Sequence, residues 1–171
     1  VLTVARLYPW KQIDDLVRMS LDFDGAARLV IVGDGPERAA LERLAADLEA
    51  PASFVGAVDQ HDVFSYLKAA DLFVLNTRYE GMSHVLLEAR WAGVPIVTTD
   101  VGGNLEILES DRDALLVPYG DHPAMTAAIN LILADPALAT RLGENARTDL
   151  EHYTWDRQVD ETLHLLRAPA G

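Results

Sequence analysis

Residues 79–89 are the stretch of the sequence whose side chains are best suited to binding or catalysis. They include two glutamates, Glu80 and Glu88, on either side of His84. An ionised carboxylate only accepts hydrogen bonds, so it suits the hydroxyl groups of a sugar better than it suits a phosphate. On a helix His84 and Glu88 would share one face, because they are spaced i and i+4. Glu80 precedes them beside Gly81. These residue types indicate a ligand rich in hydroxyl groups.

The elements around this stretch predict where it lies. The apolar run Asp71–Leu75 is short enough for a buried parallel strand, and apolar positions after Ser83 recur at helical spacing up to Gly93, just before Pro95. A helix beginning near Met82 or Ser83 would place free backbone N–H groups at the carboxyl edge of a parallel sheet. Because such a helix start binds anions, we expect a ligand with phosphate in the middle and hydroxyl groups on either side.

Two cations follow the first predicted strand, Val1–Ala5, at the same edge of the sheet. Arg6 and Lys11 flank the loop that comes after this strand. Position alone favours the ordinary interpretation, in which both are solvated surface cations.

The loop after the second strand carries Gly33 and Gly35, which resemble the start of a dinucleotide-binding fingerprint. Its third glycine is missing, because Arg38 occupies that position. Gly35 is therefore predicted either to let the backbone approach a neighbour closely or simply to form the turn.

Composition limits the classes of protein in which these residues can act. The 171 residues are enough for one domain with a core, half of them are apolar, and the absence of cysteine excludes disulfides and fits a reducing compartment. A formal net charge of −13 argues against nucleic acid as a partner, so an anionic ligand needs local cations and backbone donors. No apolar stretch reaches the roughly 18 residues of a membrane span. The chain begins at Val1, inside a strand pattern and without Met, so we expect a cut N-terminus with any targeting signal upstream.

Strand and helix patterns alternate along the chain, and the last segments are helical only. This order predicts an α/β fold: a Rossmann-like doubly wound parallel sheet of about six strands, with helices on both faces and extra C-terminal helices. The predicted strands are Val1–Ala5, Arg28–Gly33, Ser53–Gly56, Asp71–Leu75, Pro95–Thr99 and Ala114–Pro118. The predicted helices are Ile13–Leu21, Glu37–Leu48, His61–Ala69, the segment after Met82, a short piece through Leu105 and Leu108, Pro123–Leu133, Pro136–Asp149 and Trp155–Leu166, the last capped by Thr154.

Taken together, these segments resemble the C-terminal, donor-binding half of retaining glycosyltransferases of the GT-B fold, in the family called glycosyl transferases group 1. The matching segments are, in order, Val4–Leu7 with Lys11, Gly33–Pro36, Tyr79–Ser83 with Leu86–Ala89, Asp100–Gly103 with Glu106, and Leu116–Pro118 with Gly120 and Asp121. They cover nearly the whole chain, and their order is more specific than any one of them. The departures from the family pattern are Gln12 for a usual glycine, Asn76-Thr77 for Pro-Ser, His84 for Asn or Gly, and Asp113-Ala114 for Asn-Gly.

The resemblance implies a role for each matching residue. Arg6 and Lys11 would hold the donor diphosphate and neutralise the charge that develops on it as the sugar bond breaks. Glu80 would accept hydrogen bonds from the transferred sugar, so the catalytic residues would be Arg6, Lys11 and Glu80. The donor-binding residues would be Gly35, Gly56, Val58, Gly81, Met82, Ser83, His84, Val85 and Glu88, with Gly56 and Val58 beside the base and Glu88 on the ribose.

The resemblance also implies what the chain does and needs. Residues 1–171 would form a single nucleotide-sugar-binding domain, paired in the whole enzyme with an absent N-terminal acceptor-binding domain. The enzyme would transfer a hexosyl group with retention, without metal or other cofactor, in the cytoplasm, with any membrane contact through the absent domain. The isolated piece is predicted to bind nucleoside diphosphate weakly and to transfer nothing. Three alternatives stay open: a non-catalytic nucleotide-binding module, a nucleotide-sugar epimerase-type GT-B domain, and a dehydrogenase-type nucleotide domain, which the missing third glycine disfavours.

Overall fold

The computed structural model describes residues 1–153, and within this range it confirms the predicted α/β fold. Six parallel strands form one sheet in the order β3-β2-β1-β4-β5-β6. The strands are β1 Leu2–Val4, β2 Leu29–Val32, β3 Ala52–Gly56, β4 Phe73–Leu75, β5 Ile96–Thr99 and β6 Leu115–Val117. The helices are α1 Ile13–Met19, α2 Arg38–Asp47, α3 Gln60–Ala69, α4 His84–Ala92, α5 Asn104–Ile107, α6 His122–Ala134 and α7 Pro136–Ala146, with 3-10 turns at Pro9–Lys11, Ser20–Asp22 and Leu150–Tyr153. The helix predicted over Trp155–Leu166 lies outside the described residues.

Helices cover both faces of the sheet, and each face has its own apolar core. On one face, α1, α2 and α6 contribute buried side chains such as Leu16, Leu41 and Ile129. On the other face, α3 and α4 contribute Leu67 and Leu86. Except for the edge strand β3, the strands lie between the two cores, which explains why they are largely apolar in the sequence. No helix within residues 1–153 combines the length and the apolarity that crossing a membrane requires.

The strand order reverses between β1 and β4, and this reversal creates a crevice at the carboxyl edge of the sheet. β1 pairs in parallel with β2 on one side and with β4 on the other. The chain leaves β1 toward α1 on one face and leaves β4 toward α4 on the opposite face, so the two connecting loops diverge. Doubly wound sheets bind ligands at such a point.

Several helix ends differ from the sequence-based boundaries by one to three residues, among them the start of α4 and the end of α7. α4 begins at His84, with Ser83 as its N-cap, one or two residues later than predicted. α7 ends at Ala146 instead of continuing to Asp149, where the backbone is left-handed with a φ of 58°.

A buried arginine fixes the position of α4. The Arg90 guanidinium donates hydrogen bonds to three backbone carbonyls, those of Ile107 at 2.8 Å, Ala146 at 2.9 Å and Thr148 at 2.8 Å. It also lies 5.5 Å from the centre of the Tyr153 ring. Because guanidinium stays charged when buried, it needs these acceptors. The contacts join α4 to α5 and to the chain around the end of α7.

Candidate functional site

One cleft of about 1170 Å³ opens at the carboxyl ends of β1 to β4, at the point where the strand order reverses. Ten of the twelve sequence-predicted site residues line it: Arg6, Lys11, Gly35, Val58, Glu80, Gly81, Met82, Ser83, His84 and Val85. The other two, Gly56 and Glu88, are absent from its lining. The structure thus brings together residues that the sequence places in four separate loops.

Hydrogen bonds tie together the two walls of the cleft. The wall after β1 comprises residues 5–12, and the wall after β4 comprises residues 76–83. The Trp10 carbonyl accepts from the Arg78 N–H at 2.9 Å and from Thr77 Oγ1 at 3.3 Å, and the Gln12 carbonyl accepts from Asn76 Nδ2 at 3.3 Å. Asn76 and Thr77 are both buried. These two departures from the family pattern therefore help to hold the walls at a fixed separation.

A third loop supports the wall that carries Glu80. The Gly103 N–H donates to the Glu80 carbonyl at 3.0 Å. A side chain at Gly103 would collide with the Gly81 carbonyl, and one at Gly102, whose φ is +44°, would collide with the Glu80 carbonyl. Only glycine allows the start of α5 to pack this closely against the loop. The glycine pair thus positions Glu80 and Gly81 without lining the cleft.

Gly35 has its role in close backbone packing. A Cβ atom at Gly35 would lie 2.7 Å from the Leu7 backbone nitrogen. The Leu7 N–H donates to the Asp34 carbonyl at 2.9 Å, so the loop after β2 supports the loop after β1. Of the two sequence-based alternatives for Gly35, the close approach applies, and the neighbour it approaches is the chain itself.

The charges in the cleft are balanced. Lys11 and Glu80 form an ion pair across the two walls, with only 15% and 16% of their side chains exposed. Arg6 is exposed at the same cleft, and no acidic partner for it occurs among residues 1–153. Asp34 also lines the cleft, where the hydrogen bond from the Gly35 N–H, and next the Arg38 guanidinium, lowers the pKa of the Asp34 carboxyl. An entering anion therefore meets Arg6 directly but competes with Glu80 for Lys11.

The start of α4 adds backbone donors to the cleft. The first backbone bonds of this helix run from the N–H groups of Leu86 and Leu87 to the Ser83 carbonyl. The N–H groups of His84 and Val85 precede these bonds, so they keep the free hydrogen-bonding capacity and partial positive charge of a helix start. Both residues line the cleft.

Gly56 and Glu88 have other surroundings. Gly56, with a φ of +94°, is buried against the Arg38 guanidinium, so that a Cβ atom there would lie 2.8 Å from Nη1. Glu88 accepts a hydrogen bond from Gln60 Nε2 at 2.9 Å. Their assigned contacts with the base and the ribose remain predictions.

Aromatic residues are the main part of the cleft that the sequence analysis did not predict. Tyr8 and Trp10 stack with ring centres 4.6 Å apart and planes within 11°. Both line the cleft, as does Tyr79, whose exposed fraction is 72%. The signal available in the sequence was the presence of two large aromatic residues in a loop at the ligand-binding edge.

Comparison with known proteins relates the cleft to a family. The family model described as Glycosyl transferases group 1 matches residues 1–149. The lipopolysaccharide core biosynthesis glycosyltransferase LpsD of Rhizobium meliloti is 37% identical over 173 residues, covering 93% of this chain and 50% of that protein. The GDP-mannose-dependent alpha-mannosyltransferase of Mycobacterium tuberculosis is 35% identical over 170 residues, covering 98% of this chain and 42% of that protein.

A solved structure extends the comparison to three dimensions. Sucrose-phosphate synthase from Thermosynechococcus elongatus superposes with a TM-score of 0.88 at 29% identity, covering 99% of this chain and 46% of that one. The chain spans about half the length of the curated relatives it matches. The matched residues include every loop that forms the cleft. The chain therefore belongs to the glycosyl transferases group 1 family.

Proposed function

We propose that this chain is the donor-binding half of a retaining glycosyltransferase and that it binds a nucleoside diphosphate-sugar in the cleft between β1 and β4. The observation that carries the proposal is the convergence of Arg6, the Lys11–Glu80 pair and the start of α4 on one cleft. These groups fit the phosphates and the sugar of one donor molecule.

The diphosphate would lie between Arg6 and the start of α4. Arg6 offers a guanidinium whose planar donors suit phosphate oxygens, and His84 and Val85 offer backbone N–H groups. Lys11 would turn from Glu80 toward the phosphates as the donor enters. Local donors of this kind are necessary because the chain carries a net charge of −13, which repels an anion at long range.

The transferred sugar would lie beside Glu80, whose carboxylate accepts hydrogen bonds from hydroxyl groups. When the bond between the sugar carbon and the diphosphate oxygen breaks, its electron pair stays on the leaving oxygen. Arg6 and Lys11 would stabilise that developing charge. In a retaining transfer the acceptor oxygen then bonds to the face of the sugar from which the diphosphate departed, and its hydroxyl proton passes to the leaving diphosphate oxygen on that face.

The acceptor would bind to the half of the enzyme that this chain does not contain. Its relatives are glycosyltransferases about twice as long, which supports a second, N-terminal domain. We therefore expect the 171-residue chain to bind nucleoside diphosphates weakly and to transfer no sugar, hexose included. Sugar transfer by this chain alone, measured with a nucleotide-sugar and a panel of glycoside acceptors, would contradict that division.

A ligand panel tests the proposal directly. Isothermal titration of the chain with UDP, GDP, ADP and NAD should give binding of at least one nucleoside diphosphate and none of NAD. Arg6→Ala should lower the affinity about tenfold, the effect of losing roughly 1.4 kcal/mol from one charge-assisted contact. Arg43→Ala is the matched control, because Arg43 is exposed on α2 and does not line the cleft. Equal affinities for the two variants would contradict the phosphate assignment.

The same titration tests the expectation that no metal is needed. Arg6, Lys11 and the α4 N–H groups would supply the positive charge that a divalent cation supplies in other sites. Binding should therefore be the same in EDTA and in millimolar magnesium, and a strict magnesium requirement would contradict this part of the proposal.

A further inference from the structure

We infer that Trp10 is a stacking platform for the sugar ring and that it helps to select the sugar at this site. The inference rests on the proposed function and adds to it a residue for which neither the family resemblance nor the comparisons give a role. It concerns a pyranose with an apolar C–H face, carried into the cleft by the nucleotide.

The Trp10 ring is exposed although it is large and apolar. Trp10 as a whole is 47% exposed, and the Tyr8 ring stacks on one face of its indole. The exposed area therefore belongs to the edges and the opposite face. An indole in this state offers a flat apolar surface to a ligand at little cost in conformational entropy, because stacking already restricts its rotation.

The position of Trp10 is also fixed from its backbone. Its carbonyl accepts hydrogen bonds from the Arg78 N–H and Thr77 Oγ1 across the cleft. These bonds hold the residue against the wall that carries Glu80. The ring is therefore presented by a rigid loop.

The neighbours of Trp10 provide the polar half of a sugar site. Lys11 follows it directly in the chain, and Lys11 pairs with Glu80. A pyranose has hydroxyl groups around its edge and C–H groups on its faces. A site that binds it therefore combines a hydrogen-bond acceptor, such as a carboxylate, beside the edge with an apolar plane against one face. Glu80 and Trp10, both on the cleft lining, supply these two surfaces.

The decisive measurement is the ratio of two dissociation constants, one for a nucleotide-sugar and one for its nucleoside diphosphate. The probes are UDP-glucose with UDP and GDP-mannose with GDP, titrated against the 171-residue chain. Trp10→Ala should raise the nucleotide-sugar to diphosphate ratio about three- to tenfold, while Trp10→Phe, which keeps an aromatic face, should leave it near the wild-type value. Trp91→Ala is the matched control, since Trp91 is 54% exposed on α4 and does not line the cleft.

The outcomes separate this inference from the proposed function. An unchanged ratio in Trp10→Ala would overturn the stacking role, whether both affinities stay the same or fall equally, because an equal loss would place on the ring a part that both ligands share rather than the sugar. Absence of any nucleoside diphosphate binding by the wild-type chain would instead overturn the proposed function, and the inference with it. Circular dichroism and thermal unfolding of each variant establish that the fold is retained.

Discussion

Replacing Glu80 by glutamine is expected to strengthen the binding of a nucleoside diphosphate. The Lys11 ammonium is paired with the Glu80 carboxylate, and both side chains are largely buried. The incoming diphosphate must therefore draw Lys11 away from an existing partner. Glu80→Gln leaves a side chain of the same shape but removes the negative charge that competes with the phosphate.

The size of the effect follows from the burial of the pair. Two unit charges 4 Å apart interact with about 4 kcal/mol at an effective dielectric constant of 20, and desolvation and salt cancel most of this. A net gain of about 1 kcal/mol corresponds to roughly fivefold tighter binding. The gain should shrink as salt rises, because Arg6 and the mouth of the cleft are exposed to solvent.

Isothermal titration at low and high salt measures this effect. Glu109→Gln is the control, because it makes the same change in net charge within an exposed pair with Arg112 outside the cleft. For the nucleotide-sugar the gain should be smaller or absent, since Glu80 is also the expected acceptor for sugar hydroxyls. Unchanged or weaker diphosphate binding by Glu80→Gln, or an equal gain in Glu109→Gln, would refute the reasoning.

Three further substitutions test the packing beside the cleft and the stability of the fold. Gly103→Ala should lower nucleotide affinity at least about tenfold by displacing the Gly81 carbonyl, whereas Gly25→Ala, which is strained by its φ of +69° but meets no atom within 4 Å of the added Cβ, should leave nucleotide affinity unchanged. Gln12→Gly should raise the free energy of unfolding in urea by about 0.5 kcal/mol, because a φ of 44° strains any side chain, and a clear loss of stability would contradict this. Asp113→Asn should stabilise the fold by about 1 kcal/mol at neutral pH, because burial raises the pKa of the Asp113 carboxyl and makes its charge costly. The free energy of unfolding gained by Asp113→Asn, measured in urea, should decrease as the pH is lowered, because the Asp113 carboxyl takes up a proton in the folded wild type at a higher pH than in the unfolded chain. A gain that is the same at every pH would contradict burial of the charge as its cause.

The sequence was sufficient to predict the sheet and the position of the cleft. Except for the edge strand β3, which is only partly buried, the strands are short and mostly apolar segments between two cores, so both their composition and their order indicate a buried sheet. Once the strands were known to be parallel, the loops after β1 and β4 had to share one edge, and Arg6 and Glu80 indeed line the same cleft.

The sequence was insufficient for features that depend on distance in space. The pairing of Lys11 with Glu80 joins two loops that local patterns treat separately. Gly56 packs against the Arg38 guanidinium, and the sequence analysis considered Arg38 only as the residue that replaces the third glycine of a dinucleotide-binding fingerprint. The departure at Gln12 was visible in the sequence, but its left-handed backbone, which explains why glycine is usual there, is visible only in the structure.

The ion pair between Lys11 and Glu80 spans 69 positions of the chain, and this has a consequence for folding during synthesis. β1 is made first but obtains its second neighbour only when β4 emerges from the ribosome. Until then one edge of β1 is unpaired, and closing so long a loop slows folding more than it lowers stability. A nascent chain that stops before β4 lacks one wall of the cleft, so under the proposed function a nucleotide would stabilise only chains in which β4 already pairs with β1.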